Sequence, residues 1–333
     1  MALKMSCALA TSLESHEHAV VAERLGYQRA WFYDCPALYA DVWAQLTLAA
    51  ERTERIGLGP GVLVPGLRHP MVNAAAIAGL VAVAGEHRVA VGVGAGFTGR
   101  MALGRRPSPW TYVAEYIRVI KALLRGERTT WDGAVLEMLH PPGHTKARPI
   151  NVPFLVGAQG PKGVQVAREL GEGVFGAPMP IPGFDWSAAL TFGTVLAQGE
   201  PPGTERSIRA AGPAAAVILH FAAEFDRLET IPEAGRWLAG YDDVPIETLH
   251  LEMHAGHLCA VNDRDRPFVT GELLSGFGLA LDRDGWHEKL AELEKSGVTE
   301  IVYQPAGPDI PRELEAFAEV MRTRSSRPLP LAS

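Results

Sequence analysis

Cysteine is scarce in this chain of 333 residues, and its scarcity excludes a fold that depends on disulfides. Cys7, Cys35 and Cys259 are widely spaced, and no Cys-x-x-Cys pair occurs. An odd and sparse set of this kind does not build a disulfide framework. With 47% hydrophobic and 21% charged residues, the chain can instead bury an ordinary hydrophobic core.

Excess positive charge and long apolar runs are also lacking. The formal net charge is −7, and such a surface does not attract a polyanion, so no nucleic acid partner is expected. No apolar run approaches the length of a membrane span, so no membrane association is expected. The N-terminus lacks the basic region and cleavage site of a signal peptide. We therefore expect a cytoplasmic protein that acts on a small-molecule substrate.

Short apolar strands alternate with amphipathic helices along the chain. Eight strands are predicted, at Lys4–Leu9, Arg29–Tyr33, Ile56–Val64, Arg88–Val93, Val152–Val156, Gly173–Gly176, Thr248–Met253 and Thr299–Tyr303. Parallel strands need crossover helices, and eight such units close into a barrel. An open doubly wound sheet is the alternative, but no linker separates two Rossmann halves. The predicted fold class is therefore α/β, a single-domain (β/α)8 TIM barrel with insertions.

Two segments interrupt this alternation. Asp132-Gly133, within Thr130–Leu139, predicts a small hairpin. Residues 178–247 are long and irregular, with one helix around Pro213–Glu224, and an excursion of this kind is typical of a lid or substrate pocket. The predicted domain is a barrel over residues 1–323 that carries this insertion, followed by a loose tail at 324–333.

In such a barrel, functional residues collect at the C-terminal ends of the strands. Asp34 follows the second strand, where it either binds the polar edge of a heterocycle or caps the next turn. Cys35 beside it either donates a proton or is a small buried filler. Gly59-Pro60-Gly61-Val62 follows in the third strand. Its glycines either allow a flat ring to approach the main chain or form a bulge without a function.

The fourth strand runs into Gly94-Ala95-Gly96-Phe97-Thr98-Gly99, which fits the G-x-G-x-x-G pattern of Rossmann folds. That pattern requires a helix to begin at once and an acidic residue after the next strand. Gly104, Pro107 and Pro109 prevent a crossover helix at this point. We interpret the segment as a loop that lies close to a flat ligand.

The fifth strand leads into Gly157-Ala158-Gln159-Gly160-Pro161-Lys162 and then a helix. Glycine frees the backbone amides, Pro161 begins the helix, and the helix N-terminus offers unpaired N–H groups to an anion. Lys162 adds a positive charge. An ordinary turn between strand and helix is the alternative.

The predicted seventh strand carries His250, Glu252 and His254 on one face, followed by His257. Residues of these types can bind a metal. The pattern is not H-E-x-x-H on a helix, however, and we predict no metal. A polar wall, or a proton relay through His254 or His257, is the preferred interpretation.

In their order and spacing, these motifs resemble the luciferase-like oxidoreductase superfamily. The resemblance is carried by Leu25-Gly26-Tyr27 before Ala30–Asp34, Gly59–Val62 with Arg68-His69-Pro70, Val91–Arg100 with Ala102-Leu103-Gly104, and Val156–Lys162. It implies a (β/α)8 barrel with an insertion. It also implies an enzyme that uses either FMN with oxygen or the deazaflavin coenzyme F-420. The segment Gly96–Gly104 looks most like the F-420 branch, which includes proteins similar to methylenetetrahydromethanopterin reductase.

The resemblance also implies roles for residues of this sequence. Asp34, Cys35, His254 and His257 are the catalytic candidates, with Tyr303 as a further proton carrier. The cofactor-binding candidates are Asp34, Gly61, Val62, Gly94, Ala95, Gly96, Phe97, Thr98, Gly157, Ala158, Gln159, Gly160, Pro161, Lys162 and Val174. The Gly61–Val62 peptide bond is expected to be cis, the cofactor phosphate to lie on Gly157–Lys162, and the protein to form a homodimer.

The chain departs from the sugar-phosphate dehydrogenases of this branch at two positions. They carry Asp-His where this chain has Asp34-Cys35, and Glu where it has Phe97, so a sugar phosphate is not the expected substrate. The leading hypothesis is an F-420-dependent oxidoreductase that transfers a hydride to or from a small organic substrate. An FMN-dependent monooxygenase and a non-catalytic cofactor-binding barrel are the alternatives.

Overall fold

The computed structural model describes residues 3–177 and 179–325. The strands are β1 (Lys4–Leu9), β2 (Arg29–Phe32), β3 (Gly57–Pro60), β4 (Val91–Gly94), β5 (Thr129–Trp131), β6 (Ala134–Leu136), β7 (Phe154–Ala158), β8 (Gly173–Gly176), β9 (Ser187–Phe192), β10 (Thr194–Val195), β11 (Ala280–Leu281) and β12 (Glu300–Gln304). The α-helices are α1 (Ser15–Leu25), α2 (Val42–Arg52), α3 (Pro70–Ala84), α4 (Phe97–Met101), α5 (Trp110–Arg125), α6 (Pro161–Leu170), α7 (Glu205–Glu224), α8 (Ala234–Ala239), α9 (Leu249–Met253), α10 (Gly271–Gly276), α11 (Arg283–Lys295) and α12 (Ile310–Ser325).

Eight of these strands form one sheet, in the order β3-β2-β1-β12-β9-β8-β7-β4. Neighbouring strands pair in parallel, as between β1 and β2 and between β7 and β8. The edge strands β3 and β4 are joined by parallel bridges from Leu58 to Val89 and from Leu63 to Val93. The sheet thus returns on itself as a nearly closed barrel, and the predicted TIM-barrel fold is confirmed.

The chain divides into two compact units. The first comprises Met1–Thr191 with Ser296–Val302, and the second comprises Phe192–Lys295 with Tyr303–Ser333. The single-domain organisation and the insertion at 178–247 stay predictions. From residue 326 onward, the predicted tail at 324–333 lies outside the described residues, whereas Arg324 belongs to α12.

The prediction of a strand at Thr248–Met253 is wrong. Leu249–Met253 is the short helix α9, with Thr248 directly before it. The barrel strand in this part of the order is β9, which lies inside the segment predicted to be irregular. Both errors have one cause, because five or six residues are too few for their pattern of apolar and polar side chains to distinguish a strand from a helix.

The other predicted elements are present, with shifts at their ends. β5 and β6 form the predicted antiparallel hairpin, in which Asp132 and Gly133 both have positive φ, at 49° and 76°. The helix predicted around Pro213 begins earlier, because the side chain of Thr204 accepts a hydrogen bond from the Ser207 amide and caps α7. Pro213 lies inside this helix.

A buried carboxylate connects three segments of the first unit. Glu300 on β12 accepts hydrogen bonds from the indole nitrogens of Trp31, at 3.2 Å, and Trp186, at 2.7 Å. The guanidinium of Arg29 lies over both indole rings, 5.3 and 5.5 Å from their centroids. The charge of Glu300 is therefore satisfied by two indole donors and a nearby cation rather than by a direct ion pair.

We expect Glu300→Gln to lower the free energy of unfolding by about 2 kcal/mol. The single amide oxygen can accept only one of the two indole N–H groups, and the amide N–H2 then faces the other donor. The measurement is the urea midpoint, with Glu54→Gln as the control, since the side chain of Glu54 is 88% exposed. Equal midpoints for the two variants would show that the buried carboxylate does not stabilise the barrel.

Candidate active site

The ends of β3, β4 and β7 meet around the side chain of Val62. A Cβ atom added to Gly94 would lie 2.9 Å from Cγ2 of Val62, and one added to Gly157 would lie 3.2 Å from its Cγ1. Gly94 and Gly157 are themselves register partners in the sheet. Three predicted cofactor-binding residues are thus side by side, and the two glycines leave room for the side chain of Val62 to pack against their main chain.

The peptide bond between Gly61 and Val62 is cis, as the resemblance implied. A Cβ atom on Gly61 would lie 2.8 Å from Cβ of Trp31, so glycine is required here as well. The amide of Gly61 donates to the carbonyl of Phe32, at 2.8 Å, which attaches the bulge to β2.

The segment after β4 is a glycine-dependent turn followed by a short helix. Gly96 has a φ of 79°, and a Cβ atom there would lie 2.0 Å from Cγ1 of Val64. The helix α4 that follows has five residues, and the crossover helix α5 begins only at Trp110. The segment therefore lacks the long helix that a Rossmann fold begins at this point. Ser108 holds the turn in place by donating from its amide to the carbonyl of Ala95, at 2.8 Å.

Asp34 is buried at the end of β2 beside a cation. One carboxylate oxygen, Oδ1, accepts a hydrogen bond from the guanidinium of Arg68, which also pairs with Asp41 at 2.9 Å. The other oxygen, Oδ2, is buried and has no hydrogen-bond partner among the described residues. Since such an oxygen is costly to leave unpaired, Oδ2 is suited to accept a ligand N–H or O–H.

Burial determines the protonation of the Asp34-Cys35 pair. It raises the pKa of Asp34 above its ordinary value, although Arg68 pulls in the opposite direction. It also raises the pKa of the Cys35 thiol to about 11. Cys35 is therefore a neutral thiol at pH 7, which excludes a thiolate nucleophile and leaves a weak proton donor or a packing role.

The connection from β7 to α6 is the segment for which an anion site is predicted. Gly160 is the N-cap of α6 and Pro161 is its first residue. The amides of Lys162 and Gly163 have no carbonyl one turn earlier in the helix to bond to, so they face outward from its N-terminus. The Lys162 side chain is exposed, and Gln159 donates to the carbonyl of Ala177 at 2.8 Å, which holds the loop beside the end of β8.

The predicted site residues are distributed over both units. The first unit holds Asp34, Cys35, Gly61, Val62, Gly94, Ala95, Gly96, Phe97, Thr98, Gly157, Ala158, Gln159, Gly160, Pro161, Lys162 and Val174. Within the first unit, Arg68 is a candidate site residue by its contact with Asp34, and it is absent from the residues predicted from the sequence. Its motif before Pro70 was noted only as a family feature, and nothing in the spacing indicates a pair with Asp34.

His254 and His257 lie in the second unit, where both are buried. Their Nδ1 atoms are 3.1 Å apart. Burial and the nearby imidazoles of His254 and His220 hold the pKa of His257 well below its ordinary value. Tyr303 donates from its hydroxyl to the carbonyl of Gly193, at 2.8 Å, so its proton is already engaged.

The sequence matches the luciferase-like monooxygenase family over residues 11–224. This chain belongs to that family. It is 27% identical over 326 residues to a 5,10-methylenetetrahydromethanopterin reductase of Archaeoglobus fulgidus, across 92% of this chain and 94% of the relative. It is also 37% identical over 134 residues to an F420-dependent glucose-6-phosphate dehydrogenase of Beutenbergia cavernae, across 38% of this chain and 39% of that one.

The solved structure of the coenzyme F420-dependent tetrahydromethanopterin reductase of Methanopyrus kandleri has the same fold. It superposes on this chain with a TM-score of 0.67 at 22% identity, covering 96% of this chain and 98% of the other. The predicted family and the oxidoreductase class are confirmed. Within the described residues, no helix of this luciferase-like protein is long and apolar enough to cross a membrane.

In this luciferase-like oxidoreductase, we expect Arg68→Met to lower the free energy of unfolding at pH 8 by about 3 kcal/mol, because it leaves a buried carboxylate without its cation. The loss should be smaller at pH 5. Removing the cation raises the already elevated folded-state pKa of Asp34 further, so the folded protein favours the protonated carboxyl. The stability that protonation of Asp34 adds to the folded variant is fully present below the ordinary pKa of aspartate. It is lost as the pH rises through the folded-state pKa.

The control is Arg118→Met, which removes a pair with Glu169 in which both side chains are about half exposed. This change should cost at most about 1 kcal/mol. Denaturant unfolding of both variants at pH 5 and pH 8 is the measurement. Parallel pH profiles for the two variants would rule out a buried Asp34–Arg68 pair as the source.

Proposed function

We propose that this chain is a coenzyme F-420-dependent oxidoreductase that transfers a hydride to or from a small organic substrate. The observation that carries the proposal is the convergence of Val62, Gly94 and Gly157 within the same unit as the unpaired Oδ2 of Asp34. The names of the relatives support the deazaflavin, since the match from Beutenbergia cavernae is described as F420-dependent.

The residues present fit such a cofactor. The half-buried side chain of Val62, packed against Gly94 and Gly157, suits the face of a flat ring. The Oδ2 atom of Asp34 suits an N–H group on the polar edge of a heterocycle. The N-terminus of α6, with Lys162, suits a phosphate on the cofactor tail.

When bound, the deazaflavin supplies or accepts the hydride at its C5 carbon. The protein would orient the ring through Val62 and would hold its polar edge at Asp34. Because the Cys35 thiol is neutral at pH 7, it could donate a proton but not act as a nucleophile. The catalytic roles of Asp34, Cys35, His254 and His257 stay predictions. Cys35 and Phe97 in place of the His and Glu of sugar-phosphate dehydrogenases support a different substrate class.

The second candidate is an FMN-dependent monooxygenase, which is supported by the description of the family. FMN would present a similar flat ring and a single phosphate to the same residues. Separate titrations with coenzyme F-420 and FMN distinguish the two candidates. We expect tight binding of the deazaflavin and its bleaching on reduction, whereas tight FMN binding with oxygen consumption would refute the proposal. Tight binding without turnover on any tested substrate would indicate the non-catalytic barrel.

We expect Gly160→Asp to weaken binding of the deazaflavin at least about tenfold, or roughly 1.4 kcal/mol. Gly160 has an extended backbone with φ −136°, and a Cβ atom there would meet nothing within 4 Å. Because aspartate is a favoured N-cap, the helix α6 should remain intact while the carboxylate repels the phosphate.

The matched control is Gly160→Asn, which caps the helix equally well and adds no charge. Fluorescence titration of coenzyme F-420 into each variant gives the dissociation constants. Indistinguishable constants for the two variants would place the phosphate elsewhere on the protein. A further control, Lys146→Gln, changes an exposed lysine of the same unit outside the loop and should leave the affinity unaltered.

We also infer a cytoplasmic homodimer that acts on a small molecule. The substrate class is supported by the reductase and dehydrogenase relatives. Light scattering after size-exclusion chromatography would test the dimer, since one chain has a mass of 35.8 kDa. A single species at the monomer mass would contradict it.

A further inference from the structure

Three buried histidines of the second unit bring ring nitrogens together. His220 lies on α7, and His254 and His257 follow α9. Among the described residues, they form the group of three whose ligand atoms all lie within 4.8 Å of one another. Nδ1 of His254 is 3.1 Å from Nδ1 of His257. In a tetrahedral zinc site, ligand nitrogens about 2.0–2.1 Å from the ion are roughly 3.3 Å apart, so this pair already has the required spacing.

Two carboxylates set the tautomers of this cluster. Nε2 of His220 lies 2.8 Å from Oδ2 of Asp265, and Nε2 of His254 lies 2.9 Å from Oε1 of Glu224. A carboxylate accepts hydrogen bonds, so in the neutral rings each Nε2 carries the proton and each Nδ1 carries a lone pair. Nδ1 of His220 is buried without a hydrogen-bond partner among the described residues.

The carboxylate of Asp265 is held in place by the core of the second unit. Oδ1 of Asp265 accepts hydrogen bonds from the indole of Trp237, at 2.7 Å, and the hydroxyl of Tyr241, at 2.8 Å. Asp265 is 1% exposed. In the described part of the chain, the basic groups paired with Asp265 and Glu224 are the imidazoles of His220 and His254. Two negative charges thus face the cluster without a lysine or arginine within ion-pair distance.

We propose that His220, His254 and His257 bind a divalent transition-metal ion, with Zn²⁺ as the best match to three imidazoles. Asp265 and Glu224 orient two of the ligands from behind, which is the arrangement of carboxylate–histidine–zinc sites. The ion supplies the positive charge that the two carboxylates lack, and it satisfies the buried Nδ1 of His220. Three protein ligands leave a fourth coordination position for a water or a small anion.

This inference goes beyond the proposed redox function and differs from the metal site considered from the sequence. That site used His250, Glu252 and His254, which were expected on one strand face. They lie instead on or directly after the helix α9, where residues two apart do not share a face. His220 replaces His250 and Glu252, and it comes from a helix far earlier in the chain.

The experiment measures metal binding by the full-length protein without coenzyme. Chelator-treated protein is titrated with Zn²⁺, and the thermal midpoint and the bound metal per chain are recorded. We expect about one equivalent bound and a midpoint that rises with free Zn²⁺. Co²⁺ in place of Zn²⁺ should give the visible bands of a nitrogen-ligated ion of low coordination number.

Variants then identify the ligands. His257→Gln should lower Zn²⁺ affinity at least tenfold, and Glu224→Gln, which keeps the side-chain shape and touches only the outer partner, should lower it about tenfold. The control is His250→Gln, which removes an imidazole of α9 that lies outside the cluster. This variant should bind Zn²⁺ with the affinity of the wild type.

A wild-type protein that binds no Zn²⁺ and shows no rise in midpoint overturns the proposal, whatever the variants do. Binding that survives unchanged in His257→Gln and Glu224→Gln also overturns it, because the ion then lies outside the cluster, whether or not His250→Gln binds it. If His257→Gln fails to fold, the wild-type Co²⁺ spectrum and the Glu224→Gln titration still decide the question.

Discussion

The close approach of main chains at the ends of β3, β4 and β7 is the constraint on which the candidate active site depends. Leu63 donates to the carbonyl of Gly92 and accepts from the amide of Gly94, at 2.7 and 3.0 Å, and these bonds join the two edge strands of the sheet. The adjacent Val62 side chain fills the space that side chains at Gly94 and Gly157 would need. Gly94 therefore takes part in barrel closure and also leaves room for Val62, so a substitution at Gly94 should harm both.

Buried carboxylates meet different requirements in the two units. In the first, Asp34 has a guanidinium in contact, and Glu300 has two indole donors with a guanidinium over their rings. In each, a nearby cation offsets part of the cost of burying the carboxylate. In the second unit, Asp265 faces neutral donors and an imidazole. Among the described residues, no guanidinium or ammonium group pairs with it, which distinguishes the histidine cluster from the carboxylate sites of the first unit.

How far the sequence predicts this molecule depends on whether a feature is local. The turn at Gly160–Lys162 and the bulge at Gly61–Val62 follow from adjacent residues, and the structure shows the helix cap and the bulge where they were expected. The strand β9 and the helix α9 were misassigned, because segments of five or six residues with mixed apolar and polar side chains suit either conformation, and only sheet pairing decides between them. His220 beside His254 depends on tertiary packing of α7 against a distant turn, which no spacing reveals.

The tautomer of His254 matters for both roles proposed for this residue, the proton relay and the metal ligand. A proton relay needs a ring that can take up and release a proton between its two nitrogens. In His254, Glu224 keeps the proton on Nε2, and the lone pair on Nδ1 points toward the other imidazoles. A metal on Nδ1 would use the lone pair that a relay needs to accept a proton. The carboxylate behind His254 fixes the tautomer that either role requires, so a bound ion and a proton relay exclude each other at this ring. If the ion binds, the proton carrier of the redox reaction lies elsewhere, and Asp34 and Cys35 are the remaining candidates of the first unit.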